Sequence, residues 1–133
     1  MSQITAIPAF HDNYIWLISD GNHATVVDPG DAEPVIRYLQ QHSLILTDIL
    51  ITHHHADHTG GVQALLNAFH PTVHAPYDTP LPHCDHRVSE GDTVNLNKHN
   101  LEFHVLNTPG HTLDHICYVN HDTLFCGDTL FVG

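Results

Sequence analysis

Short apolar runs separated by turn-forming residues recur along the sequence. Most of them are rich in β-branched and aromatic side chains and are bounded by glycine, proline, aspartate or asparagine, a pattern typical of β-strands. The predicted strands occupy residues 14–19, 24–27, 48–51, 101–106, 115–119 and 123–126. Strands therefore make up most of the predicted regular structure.

Two further segments carry apolar residues at helical spacing. Asp31 is a candidate N-cap, Pro34 is tolerated in a first helical turn, and Val35, Ile36 and Leu39 then share one face. In residues 62–69 the apolar side chains recur at i, i+3, i+4 and i+7. Each predicted helix follows a predicted strand, which indicates an α/β fold.

Residues 76–100 show neither pattern clearly. They are rich in proline, aspartate, histidine and asparagine, with a weak hairpin signal at Glu90-Gly91-Asp92. We predict that this segment is a long excursion over the surface.

Four polar clusters each follow a predicted strand. DPGD follows residues 24–27, THHHADH follows 48–51, TPGH follows 101–106 and GDT follows 123–126. Ligand and catalytic groups in layered α/β folds gather where strands end and loops begin. We therefore expect the four clusters to meet at one edge of a sheet.

The cluster THHHADHTGG, residues 52–61, has the composition of a metal site. Alternate residues of an extended strand point to the same side, so His53, His55 and Asp57 can face one point, and His58 follows as the chain turns. Imidazole and carboxylate groups are suitable ligands for zinc, iron or manganese. Because these ligands are too crowded for one ion with an open position, the spacing favours two neighbouring ions.

Two weaker signals extend this site. His111 lies in the turn TPGH, and Asp128 lies in GDT, where its two carboxylate oxygens could bridge two cations. Asp28 could orient a ligand histidine or close the Pro29-Gly30 turn, and His115 is a candidate to support a ligand by hydrogen bonding. The other histidines, including His54, are assigned to the surface or to the wrong face.

Composition limits the function classes. The chain has 133 residues, enough for one domain with a core, and its formal net charge of −12 would repel nucleic acid. It contains no apolar run long enough to span a bilayer and no signal-peptide pattern, and its three cysteines have no C-x-x-C spacing. These features predict a cytoplasmic protein with reduced thiols and no membrane partner.

THHHADH, TPGH and GDT, in this order, resemble the metallo-β-lactamase fold superfamily. The closer resemblance is to the glyoxalase II, or hydroxyacylglutathione hydrolase, family, and its segments are DNYIW (12–16), VDPGD (27–31), THHHADHTGG (52–61), TPGHTLDHICY (108–118) and LFCGDTLF (124–131). The resemblance implies an αββα sandwich, of which residues 1–133 would form one metal-binding domain, the N-terminal half to two-thirds of the fold.

The resemblance also implies a binuclear site holding two divalent ions, zinc in the first place or else iron or manganese. His53, His55 and His111 would hold the first ion, Asp57 and His58 the second, and Asp128 would bridge them. A hydroxide held by the ions would be the nucleophile, with no catalytic residue beyond the ligands. The implied reaction is hydrolysis of S-(2-hydroxyacyl)glutathione thioesters such as S-lactoylglutathione, the step that completes methylglyoxal detoxification, by a protein that is monomeric when complete.

Two departures from the family pattern keep alternatives open. Asp114 stands where the family usually has glycine, and the family's further metal-binding histidine and its glutathione-binding helical region would lie beyond Gly133. We therefore expect a chain truncated at its C-terminus. The alternatives are an iron-dependent glutathione-persulfide dioxygenase with one metal and a non-catalytic metal-binding fragment.

Overall fold

The computed structural model describes residues 3–9, 13–52, 61–77, 81, 84–96, 101–107, 116–120, 123–126 and 129–132. Within them lie two helices, α1 (Ala32–Gln41) and α2 (Val62–Phe69). The strands are β1 (Gln3–Ala9), β2 (Asn13–Ser19), β3 (His23–Val27), β4 (Ile45–Leu50), β5 (Thr72–Pro76), β6 (His86–Val88), β7 (Thr93–Leu96), β8 (Leu101–Asn107), β9 (Ile116–Val119), β10 (Thr123–Cys126) and β11 (Thr129–Val132).

The first sheet has six strands in the order β1-β2-β3-β4-β5-β6. The first three strands are antiparallel, and β3, β4, β5 and β6 are parallel. Parallel neighbours need a crossover connection. Helix α1 provides it between β3 and β4, and α2 provides it between β4 and β5. The carboxyl ends of β3, β4 and β5 therefore share one edge.

The second sheet has five strands in the order β11-β10-β9-β8-β7 and is antiparallel throughout. Consecutive strands are neighbours, so the chain runs back and forth across this sheet. The last residues of β8 and β10 and the first residues of β9 therefore lie at the same end of this sheet.

Two apolar cores fill the spaces between the layers. One lies between the helices and the first sheet and includes Val26, Val35, Ile49 and Leu65. The other lies between the two sheets, and its largest side chains are those of Tyr118, Phe103 and Phe125. The described residues thus form helix, sheet and sheet layers, and the predicted α/β sandwich is confirmed.

Both predicted helices are present. Asp31 is the N-cap of α1 and accepts a hydrogen bond from the Glu33 N–H at 3.2 Å, while Val35 and Leu39 are buried. The apolar side chains of α2 are buried or pack against the same core, as the i, i+3, i+4, i+7 pattern predicts. Helix boundaries were readable because an acidic cap precedes one helix and glycine precedes the other.

The prediction of a surface excursion over residues 76–100 is wrong. This stretch contains β6, an edge strand of the first sheet, and β7, an edge strand of the second. The turn signal is correct, because the Asp92 N–H donates to the Ser89 carbonyl and Gly91 has a φ of +92°. The two strands do not form a hairpin, however, since the turn carries the chain from one sheet to the other. Strands β1, β5 and β11 were also not predicted.

Cysteine chemistry differs from the prediction of reduced thiols. Cys84 is free, whereas Cys117 on β9 is disulfide-bonded. Burial raises the pKa of the Cys84 thiol, which keeps it protonated at neutral pH. Neither described helix is long and apolar enough to cross a bilayer.

Candidate metal centre

Described strand ends meet at one edge of the molecule, the edge that receives the carboxyl ends of β3 and β4. The Asp28 N–H, just beyond β3, donates to the Leu50 carbonyl at 2.9 Å. Thr52 lies two residues beyond the end of β4. It is followed along the chain by residues 53–60, which contain four of the predicted metal ligands. The last described residues before that segment therefore lie beside the end of β3.

Asp28 fixes this junction with both carboxylate oxygens. Its Oδ1 accepts a hydrogen bond from the Thr52 N–H at 2.8 Å, and its Oδ2 accepts one from the Thr52 hydroxyl at 2.6 Å. Both residues are buried, and bonds to an ionised acceptor are stronger than neutral ones. Asp28 has a φ of +52°, a conformation that aspartate tolerates better than most residues. It also accepts the Gly30 N–H at its carbonyl, so it both closes the turn and holds Thr52.

Thr52 also links this junction to the second sheet. Its carbonyl accepts a hydrogen bond from the Ile116 N–H at 2.8 Å. Ile116 is the first residue of β9 and directly follows residues 108–115, which contain His111 and His115. By antiparallel register, β10 returns to this same end of β9, since Phe125 pairs with Tyr118. The strand ends next to all four polar clusters therefore converge, but they come from both sheets rather than from the edge of a single sheet as predicted.

Gly61 anchors the other end of residues 53–60. Its N–H donates to the Pro29 carbonyl at 2.8 Å. A Cβ on Gly61 would lie 2.6 Å from the Ala32 nitrogen and 2.7 Å from the Pro29 oxygen, so only glycine permits this approach. Thr52 and Gly61, the described residues on either side of the histidine-rich segment, are thus both bonded to the turn between β3 and α1.

The predicted metal ligands and one supporting residue lie outside the described residues, and their assignment stays a prediction. They are His53, His55, Asp57, His58, His111, Asp128 and His115. Among the residues that are described, no group of three or more histidine, cysteine or acidic side chains is placed to hold a metal. The donor types and the converging strand ends suit a divalent transition metal. Of the predicted site residues, Asp28 alone is described, and its carboxylate accepts two hydrogen bonds from Thr52.

The prediction that all other histidines lie on the surface is wrong for His74. Its side chain is buried between the sheets, with Nε2 2.9 Å from an Asp48 oxygen and its ring stacked on His86 at 5.1 Å. These histidines line a polar cavity of about 400 Å³ between β6 and β7. Sequence reasoning missed the pair because His74 lies on β5, which its proline and histidine content concealed.

The two described arginines each contact another described residue. Arg37 is exposed on α1 with its guanidinium 3.7 Å from Glu33, and Arg87 donates to the Pro76 carbonyl at 3.0 Å. With only three lysine and arginine residues against 15 acidic residues, the chain is strongly anionic. Bound cations would therefore be the main source of positive potential at this edge.

Two packed sheets with helices outside, and strand ends that converge next to the polar clusters of the sequence, define the class of protein. The chain belongs to the metallo-β-lactamase superfamily, whose family model matches residues 9–133. It is 53% identical over 134 residues to a hydroxyacylglutathione hydrolase of Vibrio cholerae, an alignment covering 98% of this chain and 52% of that protein. A hydroxyacylglutathione hydrolase of Pseudoalteromonas translucida is 50% identical over 137 residues. The chain spans about half the length of these curated relatives.

Solved structures agree with this family. The crystal structure of ETHE1 from Myxococcus xanthus has a TM-score of 0.76 at 33% identity, covering 92% of this chain and 55% of that one. The BLEG-1 B3 metallo-beta-lactamase has a TM-score of 0.77 at 25% identity, covering 87% and 66%. The fold is therefore that of the superfamily, and the higher identities are to the hydroxyacylglutathione hydrolases.

Proposed function

We propose that this chain is the metal-binding part of a hydrolase that cleaves S-(2-hydroxyacyl)glutathione thioesters to glutathione and a 2-hydroxy acid. The observation that carries the proposal is the 53% identity to the hydroxyacylglutathione hydrolase of Vibrio cholerae across 98% of the chain. The segments THHHADH, TPGH and GDT, adjoining strand ends that converge, support it.

The metal would be held by six residues: His53, His55, Asp57, His58, His111 and Asp128. Divalent ions bound there would polarise the thioester carbonyl and lower the pKa of water, with zinc as the first candidate. The chain's own contribution is to hold the ligand segments. Asp28 holds Thr52 and the Pro29 carbonyl holds Gly61, on either side of residues 53–60, and the Thr52 carbonyl holds Ile116, which follows residues 108–115.

The negative charge of the substrate would make its binding depend on the bound metal ions. A glutathione thioester is an anion, and the chain's net charge of −12 would repel it from most of the surface. The bound ions would provide the local attraction. We therefore expect thioester binding to depend on metal loading, and to be lost when a chelator removes the metal.

The test is to measure the metal content and thioester cleavage of the 133-residue chain and of its Asp128→Ala variant. The chain is loaded with zinc, the bound metal is counted by mass spectrometry, and S-lactoylglutathione cleavage is followed by the release of thiol. We expect Asp128→Ala to lose most bound metal and all turnover. Glu102→Gln, which changes an exposed carboxylate on β8, is the matched control and should retain both.

Each rival function gives a different result in the same assay. One tightly bound ion without turnover of any thioester would support the non-catalytic metal-binding fragment. Iron-dependent oxygen uptake with glutathione persulfide, and no thioester cleavage, would support the dioxygenase. Full metal content and normal turnover in Asp128→Ala would contradict the assignment of this ligand.

A further inference from the structure

A proline interrupts the hydrogen-bond ladder of the first sheet beside the candidate metal centre. The Ile51 N–H donates to the His74 carbonyl at 2.9 Å, continuing the parallel pairing of β4 with β5. In such a ladder the Ile51 carbonyl would accept from the backbone nitrogen two residues beyond His74. That nitrogen belongs to Pro76, which has no hydrogen to donate. The ladder therefore lacks one donor, in the interior of a sheet where proline is uncommon.

The hydroxyl of Tyr118 provides the missing donor from the other sheet. It donates to the Ile51 carbonyl at 2.7 Å, and the His74 carbonyl lies 3.3 Å away. Tyr118 is fully buried, so water cannot substitute for this hydroxyl. Burial, with the Asp28 charge nearby, raises the pKa of Tyr118 well above its ordinary value, so the hydroxyl keeps its proton and remains a donor.

This bond lies next to the segments that hold the predicted ligands. Ile51 immediately precedes Thr52, and His53 follows. Two residues before Tyr118, the Ile116 N–H donates to the Thr52 carbonyl at 2.8 Å. Two consecutive carbonyls at the exit of β4 thus accept hydrogen bonds from alternate residues of β9. These two hydrogen bonds hold the end of β4 and the start of β9 in a fixed position relative to each other. Each of these strand ends adjoins a segment that contains predicted ligands.

We propose that Tyr118 is a positioning residue for the metal centre, whose hydroxyl replaces the ladder donor lost at Pro76 and so fixes the end of β4 relative to the start of β9, the two strand ends that adjoin the predicted ligand segments. This inference rests on the proposed metal function. Tyr118 does not act on substrate. Its effect reaches the metal through the backbone of Ile51 and Thr52, so it should alter the geometry and affinity of the site.

The test uses Co²⁺, whose visible absorption bands report coordination geometry without any turnover. Titrations of the 133-residue chain are compared with those of Tyr118→Phe, which removes only the hydroxyl. We expect the variant to bind Co²⁺ about 10- to 100-fold more weakly, the range found when groups that orient metal ligands are lost, and to show shifted bands. Tyr38→Phe is the matched control, since its hydroxyl lies 3.3 Å from Thr5 on the helix side of the first sheet. It should bind Co²⁺ like the unaltered chain.

A second pair of variants tests the role of the proline directly. Pro76→Ala restores a backbone N–H opposite the Ile51 carbonyl, so Tyr118→Phe should have little effect on the Co²⁺ spectrum in that background. This comparison also decides the matter if Tyr118→Phe alone does not fold. Equal spectra for Pro76→Ala and the double variant would support the inference, and lost bands or an unfolded double variant would overturn it.

The outcomes separate this inference from the proposed function. An unaltered chain that shows Co²⁺ bands, with an identical spectrum and affinity in Tyr118→Phe, would overturn the positioning role and leave the metal function intact. An unaltered chain that shows no Co²⁺ bands at all would overturn both.

Discussion

Asp28 combines a buried charge, a left-handed backbone and two hydrogen bonds to one residue. Its carboxylate holds the N–H and the hydroxyl of Thr52, immediately before the histidine-rich segment. Hydrogen bonds to a buried charged group contribute about 1.5–3 kcal/mol, and a φ of +52° costs alanine about 1–2 kcal/mol. The residue thus serves the stability of the edge as well as its geometry.

We predict that Asp28→Ala lowers the free energy of unfolding by about 3–5 kcal/mol, because it removes the charged acceptor of two buried hydrogen bonds from Thr52. Asp28→Asn retains one acceptor oxygen and tolerates the left-handed conformation, so it should cost only about 1–2 kcal/mol. Urea denaturation of both variants measures the difference. Equal losses for alanine and asparagine would contradict the role of the carboxylate.

The raised pKa of Tyr118 should make the free energy of unfolding depend on pH in the alkaline range. Its pKa is raised by burial, so above the ordinary tyrosine value of 10.0 the unfolded chain loses this proton while the folded chain keeps it. The contribution is fully present below that value and is lost as pH rises toward the folded pKa, at about 1.4 kcal/mol per pH unit.

The stability advantage of the unaltered chain over Tyr118→Phe should therefore shrink from about pH 10 upward and be constant below it. Urea denaturation of both proteins between about pH 8 and 11 measures it, and the other tyrosines cancel in the comparison. A constant difference across this range would show that the hydroxyl ionises as freely in the folded state as in the unfolded chain.

Helix α2 is placed by one close backbone contact at its first turn. Gly61 approaches the start of α1 so closely that a Cβ would overlap three backbone atoms, at 2.6, 2.7 and 2.8 Å. Backbone atoms cannot rotate away as a side chain would. The position of α2 therefore depends on this glycine.

We predict that Gly61→Ala destabilises the fold by about 2–3 kcal/mol, the upper part of the range for overpacking, because the two helices must separate. Gln63→Ala, on an exposed position of the same helix, should change stability by less than about 0.5 kcal/mol. Thermal unfolding followed by circular dichroism measures both. An unchanged melting temperature in Gly61→Ala would mean that the contact relaxes without cost.

The two sheets are held together by the aromatic side chains between them. Phe103 and Phe125 are buried with ring centroids 5.8 Å apart, on strands of the second sheet that face Val27 and Leu50 of the first. The candidate metal centre draws its strand ends from both sheets. Sheet packing therefore decides whether those ends meet.

We predict that Phe103→Ala lowers the free energy of unfolding by about 3–5 kcal/mol, since the cavity would open between the sheets. Leu106→Ala, at a half-exposed position on the same strand, should cost less than about 1 kcal/mol. Urea denaturation measures both, with Phe103→Leu as a milder change. Similar losses at the two positions would contradict the assignment of Phe103 to the core between the sheets.

Local pattern predicted the elements that alternate cleanly or carry a strong cap. Strands β2, β3, β8, β9 and β10 and both helices were found because their apolar positions repeat at a regular spacing. Strand β4 begins three residues earlier than predicted, at Ile45, whose side chain is exposed. Strands β5 and β6 were missed because proline, histidine and arginine obscure the apolar pattern in their sequences. The neighbouring strands with which they pair, rather than their own sequences, determine that they are strands.

The sequence by itself predicted the class of chemistry and the strand ends beside which it would occur. Histidine and aspartate donors at close spacing suit a metal, and polar clusters that follow strands running in the same direction lie toward the same end of a sheet. Both follow from short-range pattern. The family to which the chain belongs agrees with them.

Only the tertiary structure decided how that edge is held. The bonds of Asp28 to Thr52, of Ile116 to Thr52 and of Tyr118 to Ile51 join residues 24, 64 and 67 positions apart. Such bonds depend on which strands become neighbours and on which sheet packs on which. No local pattern marks a tyrosine on one sheet as the donor that a proline on the other has removed.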